Sequence, residues 1–449
     1  VFHRDPPRTA FLNARLIDPA SGLDQPGELL AESGQIVDFG PQLFEGGPPE
    51  GCIVVDCGGR YLAPGLVDMR VELGEPGNEH METFGSGGQA ALAGGVTSMV
   101  ALPNTEPVVD DVAGVEFVAR RAREEKLAKI YTYAAVTVGL GGKEMTEIGL
   151  LKEYGAVGFT DGHQAIADAQ VMHRALSYSR TFGAVILQHP AEPSLSSGLM
   201  NAGELATRLG LAGISPLAEV IMVERDLRIV EMTGGRYHVS HVSAGETVEV
   251  IRRAKARGLN VTCDTAPHYF TLNELAVGDY RTFAKVSPPL RSEDDRLAIV
   301  QGLVDGTIDA IASDHSPHDQ DSKRLPFALA TFGVVGLETL LPLSLALVHE
   351  GALDLRGLLA KLTCNPAQIL DLPAGRIAKG WPADLVLFDS DKPWRIDADA
   401  LHSKSKNSAF DGHMVQGRVL RTFVDGRTAF TIADGALPAT EPRAETIGA

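Results

Sequence analysis

Arg70 and Glu72 stand two residues apart in the segment from Ala63 to Gly77, APGLVDMRVELGEPG. On an extended backbone, residues i and i+2 leave the same face, so a fixed cation and an anion are delivered to one place. Such a pair is either a structural salt bridge or part of a functional site. Further along, other polar side chains sit where short apolar runs end: Asp161 after GF-Thr, His189 after ILQ, His241 after HVS and Asp314 after IAS. Carboxylates and imidazoles are the groups that ligate divalent metals and move protons. A lone histidine is more often a packed one. Two at consecutive strand ends are a site pattern.

The elements that must position these residues alternate. Strand-like runs cover 65–70, 97–103, 130–136, 156–160, 184–189, 237–243, 260–266 and 309–315, with helical stretches such as 115–127, 169–181 and 247–257 between them. Eight strand-then-helix units predict an α/β fold, a (β/α)8 barrel of the TIM type with its site where the strands end. Short strands also fill 9–62 and return after about residue 371. Neither set closes a core alone. The expectation is a composite β-sandwich from 1–62 plus 371–449 beside a barrel at 63–370, with a polar tail from Gly435.

The chain has 449 residues and a net charge of −18, which argues against nucleic acid or an anionic membrane as partner. Its four cysteines form no CxxC pair, and no apolar run is long enough to span a bilayer. With no signal-peptide pattern at the start, a cytoplasmic location is expected. The glycine-rich segments 85–88 and 139–142 lack the strand–GxGxxG–helix context of a nucleotide site.

PGLVDMRVELGEPG resembles the opening barrel strand of the dihydroorotases and related cyclic amidohydrolases. So do LPNT ending at Thr105, FTDG at 159–162, QHPAE at 188–192, HVSHVS at 238–243, KVSPPLR at 285–291 and SDHSPH at 313–318. The resemblance runs from about Pro64 to Glu338. It implies metal-binding positions at Asp161, His189 and His241, a general acid/base at Asp314, and substrate contacts at Asn104, Ser287 and His318. It also shows what has changed. The family's two strand-one metal histidines are Arg70 and Glu72 here, and its carboxylate-clamping arginine is Gly74.

Hydrolysis of a cyclic amide at neutral pH uses a metal to activate water and polarise the carbonyl. With the outer ligands replaced, the expectation is no metal, or at most one zinc held by the vestigial set. Metal site, clamp and amide contact are altered together. The resemblance therefore points to inactive dihydroorotase homologues of pyrimidine biosynthesis that assemble, as homo- or hetero-oligomers, with aspartate carbamoyltransferase. The alternative is a mononuclear amidohydrolase acting on dihydroorotate or another cyclic amide such as a hydantoin. A self-associating homologue without a partner is a third reading. In the first case Arg70 is expected to replace the lost cation by bonding Asp161, Asp314 or Glu72.

Overall fold

The structure, a computed structural model, describes residues 8–432; the expected polar tail lies outside them. Among the described residues the chain builds two sheets of eight strands and one short two-stranded pair.

The barrel strands are Leu66–Val71, Val96–Ala101, Lys129–Ala134, Ala156–Phe159, Val185–Gln188, Arg236–Val239, Val261–Thr265 and Ala310–Ile311, hydrogen-bonded in sequence order. Neighbouring strands run parallel. The ring closes through a bridge between Val71 and His315, where Glu72 N donates to His315 O at 2.8 Å. The first strand is buried throughout, as a strand covered on both faces must be.

Crossover helices follow the strands. Ala169–Thr181 shows why they form. Asp168 caps its first turn by accepting from Gln170 N and Val171 N, and Val171, Met172, Ala175, Leu176 and Ser179 recur every three or four residues to give a buried stripe. Ser292 and Asp295 make a reciprocal capping box at the start of Glu293–Val304.

The second sheet joins the two ends of the chain. Tyr61–Pro64 pairs antiparallel with Leu385–Arg395, placing Leu385 opposite Pro64 and Phe388 opposite Tyr61. Thr9–Asp18 and Met414–Val424 are three strands apart in this sheet. A flat sheet would separate them by about 14 Å. Yet the Phe11 and Phe423 rings meet edge-on at 4.8 Å, and Thr9 Oγ1 donates to Gly426 O at 3.0 Å. The sheet therefore curls round its own core, which includes Leu16, Leu29, Leu62, Leu385 and Leu387.

Two contacts tie this sheet to the barrel. Gly65 donates its N–H to Asp384 O at 2.9 Å, and a Cβ there would lie 2.1 Å from the Thr97 side chain, so only glycine lets the chain pass directly into the first barrel strand. Lys129, on the third strand, reaches Asp384 at 2.8 Å and Asp425 at 2.7 Å. No helix among the described residues is long and apolar enough to cross a membrane.

Candidate active site

The polar strand ends converge on one mouth. Arg70 is buried there, with Nε 2.8 Å from Asp314 Oδ1 and Nη2 3.4 Å from His163 Nδ1. His163 Nε2 lies 2.5 Å from Glu72 Oε1. Thus the two strand-one side chains, delivered to one face, meet opposite nitrogens of a single imidazole. Glu72 also accepts from Ser316 Oγ at 2.6 Å and from Asn104 Nδ2 at 3.2 Å. Burial would raise its carboxyl, but the contacts with His163 and the Ser316 hydroxyl outweigh that and hold it at about 2.

On the other side of Arg70, His189 Nδ1 is 2.7 Å from His241 Nε2, and His241 Nδ1 is 3.5 Å from Asp314 Oδ2. His241 is anchored through its own N–H to Asp264 Oδ1 at 2.6 Å. Burial, then the neighbouring His241, His163 and Arg70, pushes His189 well below the usual imidazole range. His241 is lowered by burial and by Arg70. Asp314 is held well below the usual carboxylate range because His241 and Arg70 outweigh its burial. His268, in the short helix Pro267–Thr271 that follows Val261–Thr265, sits with Nε2 3.7 Å from Asp314; burial lowers it to about 4.

The contacts assign the protons. A guanidinium N–H can only meet a lone pair, so His163 Nδ1 accepts and Nε2–H donates to Glu72. His189 Nδ1–H facing His241 Nε2 leaves His241 Nδ1–H aimed at Asp314. The chain of contacts from His189 to Glu72 is then satisfied without any added ion.

Asp161 takes a different place from the one expected. Its Oδ1 accepts from Val136 N and Thr137 N, both at 2.9 Å, and its Oδ2 from the Thr137 hydroxyl. Burial raises its carboxyl despite these bonds. It braces the end of the third strand, and none of its hydrogen bonds goes to His189 or His241. Arg70 was expected to bond at least one of Asp161, Asp314 and Glu72, and it bonds Asp314. Glu72 is met by His163 instead, and Asp161 by backbone N–H groups and the Thr137 hydroxyl.

Other expected residues fall around the same mouth. Asn104 is bonded to Glu72, and His318 Nε2 is 3.4 Å from Ser316 Oγ. Ser287 lines a cleft of about 220 Å³ with His163, His189, Pro190, Glu219 and Arg291. Gly74 has φ +66°, and a Cβ there would lie 2.6 Å from Asn78 O. The loop is built round a glycine, so the position where the family has its arginine has no room for a side chain.

His163 is the residue that sequence reasoning missed. It follows Asp161-Gly162, where only a turn was legible.

The sequence matches the family described as dihydro-orotase-like over residues 59–247. It is 47% identical over 428 residues to the dihydroorotase of Anaplasma phagocytophilum (strain HZ), covering 94% of this chain and 95% of that one. It is 46% identical to the dihydroorotase of Wolbachia sp. subsp. Brugia malayi (strain TRS), covering 94% and 96%. The chain belongs to the dihydroorotase-like family. Among solved structures, the L-hydantoinase (dihydropyrimidinase) of Arthrobacter aurescens superposes with a TM-score of 0.84 at 25% identity, over 94% of this chain and 96% of that one. The barrel with an added β-domain is thus the fold of cyclic amidohydrolases.

The family resemblance implies a divalent metal, and the donors here do not fit one. Among the described residues no group of three His, Cys, Asp or Glu side chains is arranged to hold a metal ion. The reason is local. Asp314 is engaged by the guanidinium, Asp161 is turned to Thr137, and Arg70 puts a permanent charge beside any cation that would approach.

Proposed function

We propose that this dihydroorotase-family protein serves pyrimidine biosynthesis as a non-hydrolytic subunit. The observation that carries this is the Arg70–Asp314 pair at 2.8 Å, buried in the barrel mouth. Asp314 matches the family's general acid/base. A carboxylate held well below its usual range by His241 and Arg70 is a poor proton acceptor for an attacking water. The glycine at position 74 removes the bidentate clamp for a substrate carboxylate. Nucleophile activation and substrate anchoring are weakened together, while the fold is kept intact. A retained fold without its chemistry suits an assembly role, and the partner proposed from the resemblance is aspartate carbamoyltransferase.

A second reading is hydrolysis of dihydroorotate or a related cyclic amide. The dihydroorotase name carried by relatives at 45–47% identity favours it. In that reading His189 and His241 hold a single metal after Arg70 has moved away from Asp314.

Dihydroorotate turnover separates the two. The chain, produced in a host lacking dihydroorotase, is expected to show no turnover above buffer and not to complement that host. It is also expected to co-elute with the carbamoyltransferase of its own organism. Complementation would overturn the non-hydrolytic reading. Separate elution of the two chains at micromolar concentration, with a fully active transferase alone, would remove the assembly role.

A further inference from the structure

Aromatic side chains left in solvent gather on one flank of the barrel. Of the exposed phenylalanine, tyrosine and tryptophan residues among the described ones, Tyr154, Tyr178 and Phe182 stand together there, and only Tyr280 lies elsewhere. Tyr154 and Phe182 end the helices Ile148–Glu153 and Ala169–Thr181, which places them at the rim opposite the mouth. The Tyr178 and Phe182 rings meet edge-on at 5.1 Å, and Phe182 lies so close over Gly149 that a Cβ there would be 2.5 Å from the ring. The two rings make a knob, each 38% exposed. Ile148–Glu153 packs between Ala169–Thr181 and Val112–Glu125. On the far side of that short helix lies an open groove of about 600 Å³, whose lining includes Phe117, Ala119 and Tyr154 with Arg120, Arg123 and Glu116.

We propose that this flank is a contact between two copies of the chain, related by a two-fold axis through Ile148–Glu153, with the Tyr178–Phe182 knob of each copy seated in the groove of the other. A two-fold interface must be complementary to itself. Knob and groove stand on opposite sides of one short helix, so a half-turn about that helix brings each onto its complement. Leu150, 45% exposed on the same helix, stands near the axis. Charge points the same way. Two chains carrying −18 each repel wherever acids dominate, and the groove is where this flank offers free cations. Arg123 is exposed there and makes no ion pair among the described residues, and the same holds for Glu153. Glu153 is one helical turn from Gly149, the residue under Phe182, so it belongs to the knob side. The half-turn therefore carries Arg123 of one copy towards Glu153 of the other. Tyrosine and arginine are the side chains that most often carry an interface. Nothing in this contact depends on the chemistry of the mouth, and it goes beyond the subunit role proposed above.

The test is the mass of the assembly, read by sedimentation velocity of the purified chain at micromolar concentration. Wild type is expected to associate. Phe182→Asp spoils the knob and Ala119→Glu fills the groove, and each is expected to halve the mass of the assembly, because each removes both halves of the exchange. Mixing the two variants should restore part of the association, since the intact knob of one still fits the intact groove of the other. Tyr178→Asp serves for the knob if Phe182→Asp unfolds, and circular dichroism checks every variant. A monomeric wild type overturns the proposal and leaves the groove to a different partner. Folded variants that keep the wild-type mass overturn it and place any association on another face. Loss with the knob variants alone, with Ala119→Glu assembling as wild type does, overturns the exchange, as does a mixture whose components stay apart.

Discussion

Removing the Arg70 side chain leaves Asp314 buried without its partner, and breaking one half of a buried ion pair costs about 3–5 kcal/mol. Arg70→Ala should therefore unfold at clearly lower denaturant than wild type, with Arg70→Ala/Asp314→Asn recovering part of the loss; equal midpoints for Arg70→Ala and wild type would show that the pair contributes nothing. Acid should act in two windows. His268, with its folded value lowered to about 4, stays neutral in the fold while the unfolded chain takes up a proton, so it subtracts stability as pH falls from about 6.5 towards 4. Glu72, with its folded value near 2, contributes stability that is full above its ordinary range of about 4.3 and is lost as pH falls towards 2. His163→Ala removes the main group holding Glu72 down. Its acid-unfolding curve, followed by circular dichroism, should shift to higher pH; an unmoved curve would contradict the Glu72–His163 link. At this scale Arg70 and Glu72 were legible because period two in a strand fixes a face. His163 was not, because one histidine after Asp-Gly carries no period. Nor does sequence say that Asp161 will find Val136 and Thr137 N–H groups before it finds an imidazole.

At the scale of elements, the loop after the first barrel strand is committed to its present form. Gly74 combines φ +66° with a close backbone neighbour, Asn78 O at 2.6 Å from a built Cβ. Gly74→Arg should therefore not restore a carboxylate clamp. It should destabilise by at least ~1–2 kcal/mol from the left-handed backbone alone, and a thermal melt unchanged by the substitution would contradict this. The eight barrel strands were legible because apolar runs alternate with amphipathic helical stretches, and Ala169–Thr181 matches its expected span. The last strand shrinks to Ala310–Ile311; beyond it Asp314 turns to the mouth, and the chain returns to the ladder only at His315, which bridges Val71. Hydrophobicity does not distinguish a paired residue from one released in this way, so strand ends were less legible than strands.

For the whole molecule, the curled terminal sheet and the barrel are held in register by short polar ties as well as by apolar packing. Lys129 is the tie with two ends, bridging buried Asp384 and half-exposed Asp425. Lys129→Met leaves the Asp384 carboxylate buried without its cation, a change that costs about 3–5 kcal/mol for a fully buried pair and less for one this accessible. The expected readout is a lower melting temperature with an unaltered circular-dichroism spectrum; a melt identical to wild type would remove the tie from the account. That both termini build one sheet was legible from strands that cannot close a core alone. That the sheet curls until Phe11 touches Phe423 was not, because register and curvature arise from pairings hundreds of residues apart.

The central claim is that a guanidinium stands where the family's metal chemistry would be. Diffraction from crystals grown with zinc, recorded at the zinc absorption edge, tests it most directly. The account predicts continuous density from Arg70 to Asp314 and His163, with no anomalous peak in the barrel mouth. A strong peak within bonding distance of His189 and His241, with Arg70 turned away from Asp314, would contradict it.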